Sequence, residues 1–143
     1  MSKQHAVINS FRGKHYFLSN FYEADVNYLG LSYQTVEAAF QAQKDLSRSH
    51  DFQNISPAES KRLGRRVKLR SDWNDIRITI MRDLLWAKFS QNPDLAQKLI
   101  ETGDAQLIEG NSWNDTFWGI SNNRGQNHLG KLLMDTREKL KVK

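Results

Sequence analysis

The sequence predicts an α+β fold that is mainly helical and contains a small antiparallel sheet. Three observations support this prediction: two short strand-like segments around Gly30, a Ser-Pro helix start at Ser56, and apolar residues at three- and four-residue steps over residues 72–89. A chain of 143 residues fits one domain of ordinary size, so we expect a single domain over residues 1–143.

The first third of the chain predicts a hairpin followed by a helix. Residues 26–28 and 31–33 are typical of two short strands joined by a turn at Gly30. Thr35 is a helix-capping residue type, and residues 36–44 (VEAAFQAQK) contain strong helix formers with no Gly or Pro. We therefore expect a helix over residues 36–44.

Two helices are predicted in the middle of the chain. Ser56 and Pro57 start the first helix, which should end near Gly64. The second is the longest predicted helix and covers residues 72–89. The residues on its predicted buried face are Ile76, Ile80, Met81, Leu84, Leu85 and Phe89.

The last third predicts two helices separated by a short strand and a loop. Pro93 starts a helix that ends at Gly103. Residues 105–109 are short and apolar, which favours a strand, and residues 110–125 have the composition of a loop. A final helix is expected over residues 126–140.

Composition excludes several classes of chemistry. The absence of cysteine excludes disulfides, zinc-thiolate sites, iron-sulfur clusters and thiol nucleophiles. The four histidines, which show no metal-ligand spacing, are His5, His15, His50 and His128. We therefore expect no metal and no cofactor, although carboxylate-bound magnesium stays open.

The charge balance points to an anionic partner. The formal net charge of +5 favours a phosphorylated metabolite or nucleic acid. No segment approaches the roughly twenty apolar residues that a membrane span needs, and the N-terminus lacks the pattern of a signal peptide. We therefore expect a cytoplasmic protein with no membrane partner.

Polar side chains on the helix predicted after Thr35 form the first candidate site. The residues that share one stripe at helical spacing are Glu37, Phe40, Gln41, Lys44 and Arg48. The other side of this helix is too small and mixed to be the whole core-facing surface, so the stripe could face an enclosed space. The alternative is a solvent-exposed helix edge with charge pairs, and spacing alone leaves both interpretations open.

A second candidate site lies on residues 107–119 (LIEGNSWNDTFWG). Its acidic and amide residues, interleaved with aromatic ones, are Glu109, Asn111, Asn114, Asp115, Trp113, Phe117 and Trp118. Aromatic faces sandwich a planar heterocycle, while a partly desolvated carboxylate gains basicity. The alternative is a loop that the tryptophans pin to the core.

Arg70 and Trp73 form a third candidate. Arg70 offers a fork of N–H donors to a phosphate just before a predicted helix start, and Trp73 adds an aromatic face. The alternative is that Ser71 or Asp72 caps the helix, which would also hold in a functional site.

Sequence blocks along almost the whole chain resemble the NADAR, or YbiA-like, family. The main blocks, in order, are residues 17–22 (FLSNFY), 33–44 (YQTVEAAFQAQK), 64–65 (GR), 70–73 (RSDW), 107–109 (LIE), 115–119 (DTFWG) and 125–130 (GQNHLG). Their order and gaps identify the chain as a member. Two positions depart from the family pattern, with Ala38 in place of His and Phe40 in place of Tyr. Both lose a polar group near the implied site, which would alter substrate preference.

The resemblance implies an N-glycosidase that cleaves the bond between a ribosyl carbon and a base-like nitrogen. The implied substrates are phosphoribosylamino-pyrimidine intermediates of riboflavin biosynthesis or ADP-ribosylated guanine in nucleic acid. It also implies that Lys44 attacks the anomeric carbon and holds the opened sugar as a Schiff base. The substrate-binding residues carried over are Asn20, Phe21, Arg70, Trp73, Glu109, Trp118, Gly119 and Asn127.

Simple chemistry supports Lys44 as the nucleophile. Cleavage of a ribosyl C–N bond develops positive charge on the sugar, and an amine that captures the sugar divides one hard step into two easier ones. The amine must be neutral to attack, so burial or a nearby cation such as Arg48 must lower the pKa of Lys44. Glu37 or Asp115 would stabilise the cation and move protons, although an ion pair with Glu37 would raise the pKa of Lys44. Which carboxylate is acid or base stays open.

A non-catalytic module that binds ADP-ribose or nucleic acid is the main alternative. Such a module would use the same aromatic loop and basic surface. Reductive trapping of a sugar on Lys44 would separate catalysis from binding.

Overall fold

The protein folds into two compact units, which a computed structural model describes over residues 6–142. Residues 20–92 form the central unit, and residues 6–19 with 93–142 form the terminal unit. His5 and Lys143 lie outside the described residues. The single-domain expectation stays a prediction.

The described residues form an α+β structure dominated by helices. The strands are β1 (Val7–Ile8), β2 (Val26–Tyr28), β3 (Leu31–Tyr33) and β4 (Gln106–Leu107). The α-helices are α1 (Val36–Ala42), α2 (Pro57–Gly64), α3 (Trp73–Gln91), α4 (Pro93–Glu101) and α5 (His128–Lys141), and two 3₁₀ helices cover Gly13–Leu18 and Leu46–Phe52. The predicted fold class is confirmed. Over residues 6–142, none of the helices has the length and apolar character needed to cross a membrane.

The central unit begins with the predicted hairpin. Strands β2 and β3 pair antiparallel, with Val26 opposite Tyr33. Leu29 and Gly30 both have positive φ values, +50° and +85°, as a two-residue hairpin turn of the favoured twist requires. The hairpin prediction is therefore confirmed, including the position of its turn.

Helix α1 starts where the sequence predicted but ends earlier. The Thr35 hydroxyl accepts a hydrogen bond from the Ala38 N–H at 3.0 Å, as expected of an N-cap. The helix ends at Ala42, so the prediction that it extends to Lys44 was wrong. Asp45 explains the difference, because its carboxylate accepts from the N–H and hydroxyl of Ser47 and caps the following 3₁₀ helix.

Helices α2 and α3 match their predictions closely. A full capping box of Ser56 and Glu59 starts α2, which ends at Gly64. Helix α3 begins at Trp73 and continues two residues beyond the predicted end. Its inward face carries the predicted apolar side chains, except that Ile76 is only partly buried, and in addition the fully buried Lys88.

Lys88 places an amine inside the central unit. Its Nζ lies 5.6 Å from the ring centroid of Tyr22 and 5.1 Å from that of Phe89. Burial lowers the pKa of Lys88 to about 7, because an apolar environment disfavours the charged form. The amine is therefore largely neutral in the folded protein above this pH.

Lys88 should make stability depend on pH in a defined direction. The pKa of Lys88 is about 7 in the folded protein, whereas that of an exposed lysine is 10.5. Between these limits the unfolded chain binds more protons, so raising the pH favours folding. Relative to Lys88→Met, the free energy of unfolding of the wild-type protein should rise by about 1.4 kcal/mol per pH unit across this window. Urea unfolding at several pH values measures the difference. A difference that stays constant with pH would contradict a neutral buried amine.

The terminal unit joins the two ends of the described chain. Strands β1 and β4 pair in parallel, with Val7 opposite Gln106, so the predicted strand over residues 105–109 exists but is shorter. Its partner β1 was not predicted, and this parallel pair adds a second sheet to the predicted antiparallel one. Two-residue strands are too short to show an alternating pattern. Helices α4 and α5 agree with their predictions within two residues.

Candidate active site

The polar stripe on α1 is enclosed. Every residue of α1 is buried, and the exposed fractions of Glu37 and Gln41 are only 8% and 6%. The interpretation of this stripe as a solvent-exposed helix edge was therefore wrong. A buried carboxylate and a buried amide are costly unless other polar groups bind them, which makes this helix the strongest candidate for a site.

Hydrogen bonds gather Glu37, Gln41 and Asn20. Gln41 Nε2 donates to Glu37 Oε2 at 2.6 Å, and the Glu37 backbone N–H donates to the carbonyl of Asn20 at 3.1 Å. The Asn20 amide donates to the sulfur of Met81 at 3.6 Å. Within residues 6–142, Asn20 Oδ1 and Gln41 Oε1 are buried acceptors without a hydrogen bond. A ligand hydroxyl or amine would satisfy such an acceptor.

Lys44 lies at the end of this group. Its side chain is half-buried, and its Nζ is 5.8 Å from the centroid of the Trp73 ring. Burial lowers the pKa of Lys44, Glu37 raises it, and Arg65 and Lys61 lower it further. The net direction is downward, as nucleophilic attack requires.

The expected role of Arg48 is not seen. Arg48 Nε pairs with Asp51 Oδ2 at 2.7 Å, and the cations that act on Lys44 are Arg65 and Lys61 instead. The prediction failed because helix α1 ends at Ala42, so Arg48 does not continue the helical face that holds Glu37 and Gln41.

Arg70 and Trp73 bracket the turn that precedes α3. Arg70 Nε and Nη2 donate to the two oxygens of Asp72 at 2.7 and 3.3 Å, and these bonds hold the pKa of the Asp72 carboxyl below its usual value. The Arg70 N–H donates to the carbonyl of Lys44 at 3.0 Å, so this turn lies directly against Lys44. Asp72 occupies the N-cap position, but its side chain makes no capping bond. The Trp73 ring is 6% exposed and lies 4.9 Å from the Phe40 ring.

Helix α2 approaches α1 through Gly64. A Cβ on Gly64 would overlap the side-chain amide of Gln41, so any larger residue would force Gln41 to move. Lys61, one turn before Gly64, has its Nζ 5.6 Å from the ring centroid of Phe21. Sequence reasoning missed Lys61 and Arg65 as site residues.

The terminal unit holds the remaining predicted site residues in a hydrogen-bonded loop. Asp115 Oδ1 accepts from the N–H groups of Phe117 and Trp118 at 3.1 and 2.9 Å. Asn111 accepts from the Asp115 N–H at 3.0 Å and donates to its carbonyl at 2.9 Å. The carboxylate of Asp115 therefore shapes the turn that presents Trp118, whose half-buried ring meets Phe117 edge-on at 4.8 Å.

Asn127, Glu109 and Gly119 join this loop to β4. Asn127 is buried, accepts from the Glu109 N–H at 3.0 Å and donates to the Leu107 carbonyl at 2.9 Å. Gly119 lies so close to the carbonyl of Glu109 that a Cβ would overlap it. Asn127 has a positive φ of +55°, which asparagine tolerates better than most residues. Both ends of the Asn127 amide thus maintain the loop.

Comparison with known proteins identifies the family. The NADAR domain matches residues 8–141, nearly the whole chain. The chain belongs to the NADAR family. The resemblance drawn from the sequence blocks is confirmed, and every predicted site residue lies inside the matched region of this NADAR chain.

Two similar NADAR relatives are N-glycosidases. N-glycosidase YbiA of Escherichia coli (strain K12) is 38% identical over 130 residues, which cover 87% of this chain and 81% of that protein. The NMR structure of E. coli YbiA matches with a TM-score of 0.86 and 36% identity, covering 99% of this chain and 88% of that one. N-glycosidase Npun_R5314 of Nostoc punctiforme (strain ATCC 29133 / PCC 73102) is 38% identical over 133 residues, covering 86% and 84%. These matches confirm the predicted enzyme class, N-glycosidase, over a binding module.

A third relative is much longer than this NADAR chain. Riboflavin biosynthesis protein VVA0006 of Vibrio vulnificus (strain YJ016) is 39% identical over 132 residues, which cover 88% of this chain. The chain spans only 36% of the length of that protein.

Proposed function

We propose that the enzyme hydrolyses the N-glycosidic bond between a phosphoribosyl or ADP-ribosyl group and a base-like nitrogen, with Lys44 as the nucleophile. The two candidate substrates are a phosphoribosylamino-pyrimidine of riboflavin biosynthesis and ADP-ribosylated guanine in nucleic acid. The name of the Vibrio relative favours the first, and the net charge of +5 suits the phosphates of both.

The observation that carries the proposal is the environment of Lys44. A lysine attacks carbon only as the neutral amine, and burial lowers the pKa of Lys44 toward the range where that form is populated. The nearby Glu37 opposes this effect, but burial is the larger influence and Arg65 and Lys61 add to it.

The proposed chemistry has two stages. The Lys44 amine bonds to the anomeric carbon as the carbon–nitrogen bond breaks, and the departing base nitrogen takes a proton. The ring oxygen then leaves the same carbon and is protonated while the lysine nitrogen loses a proton, which gives an iminium between lysine and the open sugar. Water adds to the imine carbon and expels the lysine, releasing the sugar aldehyde.

Glu37 is the proposed acid and base. It is buried in the same unit as Lys44, acts electrostatically on it, and receives a hydrogen bond from Gln41 on one oxygen. One oxygen of Asp115 already binds two backbone N–H groups, which favours a role in shaping the loop. The buried Asn20 Oδ1 provides an acceptor for a sugar hydroxyl close to the start of α1.

Trp118 is the proposed stacking partner of the base. Its ring is half-buried, so one part is held by Phe117 while another part stays accessible. Base-aromatic stacking contributes about 1 to 3 kcal/mol per base, enough to position a planar leaving group. Trp73 is the second proposed stacking residue, although its low exposure fits packing better.

Reduction during turnover tests the proposal. Sodium borohydride added while the enzyme acts on a phosphoribosylamino-pyrimidine or on ADP-ribosylated guanine should inactivate it and leave the reduced sugar on the peptide that contains Lys44. Mass spectrometry of a digest locates the adduct. Turnover that continues under borohydride with no adduct on Lys44 would overturn the Schiff-base mechanism.

A further inference from the structure

We propose that Lys61 and Arg65 form a clamp that binds the phosphate of the substrate sugar beside Lys44. The inference rests on the proposed function, in which a phosphate-bearing ribosyl group reaches Lys44. It adds two specificity-determining residues that are distant from Lys44 in the sequence.

The packing of α2 on α1 brings the two cations to Lys44. Gly64 lies against the side chain of Gln41, and the Lys44 N–H donates to the Gln41 carbonyl at 3.1 Å. Lys61 is one turn before Gly64, and Arg65 directly follows it, so the two cations flank the contact between Gly64 and Gln41. Their four-residue separation puts both on one side of the last turn of α2.

Lys61 and Arg65 are available to a ligand. Over residues 6–142, neither forms an ion pair or a side-chain hydrogen bond with a carboxylate. Two other cations of the central unit already pair with carboxylates, Arg48 with Asp51 and Arg70 with Asp72. Guanidinium and ammonium groups together offer up to eight N–H donors, which suits the oxygens of a phosphate.

The pair Arg62 and Arg66 provides a natural comparison. These residues have the same four-residue spacing one position along the chain, and both are exposed. They line a separate cavity together with Asp51 and Glu59. Hydrogen bonds with Ser56 lower the pKa of the Glu59 carboxyl most, and Arg62 lowers it further. Neither acts on Lys44. If positive charge in general favoured a phosphorylated sugar, replacing either pair would weaken that preference. A clamp depends on Lys61 and Arg65 alone.

The clamp also influences the nucleophile. Lys61 and Arg65 lower the pKa of Lys44 in addition to burial, and a bound phosphate would offset part of their charge. Removing them should raise the pKa of Lys44 and move the acidic limb of the pH profile to higher pH. A residue with a purely structural role would not cause this shift.

Reductive labelling of Lys44 with simple sugars tests the clamp. Ribose and ribose 5-phosphate both present an aldehyde that forms an imine with lysine, and cyanoborohydride fixes it. In the wild-type enzyme, ribose 5-phosphate should reach half-maximal labelling of Lys44 at a concentration at least about tenfold below that of ribose. Lys61→Gln with Arg65→Gln should abolish this preference, Lys61→Arg should retain it, and Arg62→Gln with Arg66→Gln should leave it unchanged.

Each outcome has a distinct meaning. Equal labelling by both sugars in the wild-type enzyme, or loss of the preference in the Arg62 and Arg66 control, would overturn the clamp. Failure of every sugar to label Lys44 would instead overturn the proposed function. ADP-ribose is the third sugar tested. Half-maximal labelling at a lower concentration than ribose 5-phosphate would indicate that the clamp holds a diphosphate, and at a higher concentration a monophosphate. In both cases, labelling at a lower concentration than ribose supports the clamp.

Discussion

Replacing Lys44 by alanine is expected to lower the turnover rate at least about a thousandfold while leaving substrate affinity within about tenfold. The change removes the amine that captures the sugar, but it leaves Asn20, the cations of α2 and the aromatic rings in place. Single-turnover rates and equilibrium binding measure the two effects separately. Lys68→Ala is the matched control, because Lys68 is an exposed lysine of the same unit. Full activity in Lys44→Ala would eliminate the covalent mechanism.

Replacing Trp73 by alanine is expected to lower the free energy of unfolding by about 3 to 5 kcal/mol. The ring is 6% exposed and packs against Phe40, so its removal leaves a cavity at the start of α3. Trp113 is 56% exposed, and Trp113→Ala should change stability by less than about 1 kcal/mol. Denaturant unfolding monitored by circular dichroism compares the two variants.

The same Trp73 variant also separates packing from stacking. Normal unfolding together with weak substrate binding would show that Trp73 stacks on the base and would contradict its assignment to the core. Trp118→Ala should show that pattern instead, with binding weakened roughly five- to hundred-fold, since its ring is only half-buried.

Local chemistry explains which elements could be predicted from the sequence. The Thr35 cap, the Ser56 capping box and the Gly30 turn depend on residues within four positions of one another, and all three form as expected. The pairing of β1 with β4 depends on residues far apart in the chain, so no local sequence pattern predicts it. The early end of α1 was missed because the capping preference of Asp45 outweighs helix propensity at Gln43 and Lys44.

The candidate site divides in the same way. Lys44 and Glu37 could be selected from helical spacing and family blocks, but their burial could not, because α1 is covered by elements that lie elsewhere in the sequence. Lys61 and Arg65 were missed although residues 61–70 contain six cations, since a charge run usually marks a solvated surface. Only the folded structure shows that Gly64 packs on Gln41 and that Lys61 and Arg65, on either side of Gly64, act electrostatically on Lys44.

The pairing of β1 with β4 has a consequence for the order of folding. The central unit is one continuous stretch of chain, whereas β1 must wait until roughly a hundred further residues have been synthesised before its partner exists. Closing so large a loop is entropically costly and slow compared with forming a hairpin or a helix. During synthesis, the β1 residues therefore leave the ribosome well before β4 and are among the last to find their native neighbours, a period in which chaperones have the greatest access to them.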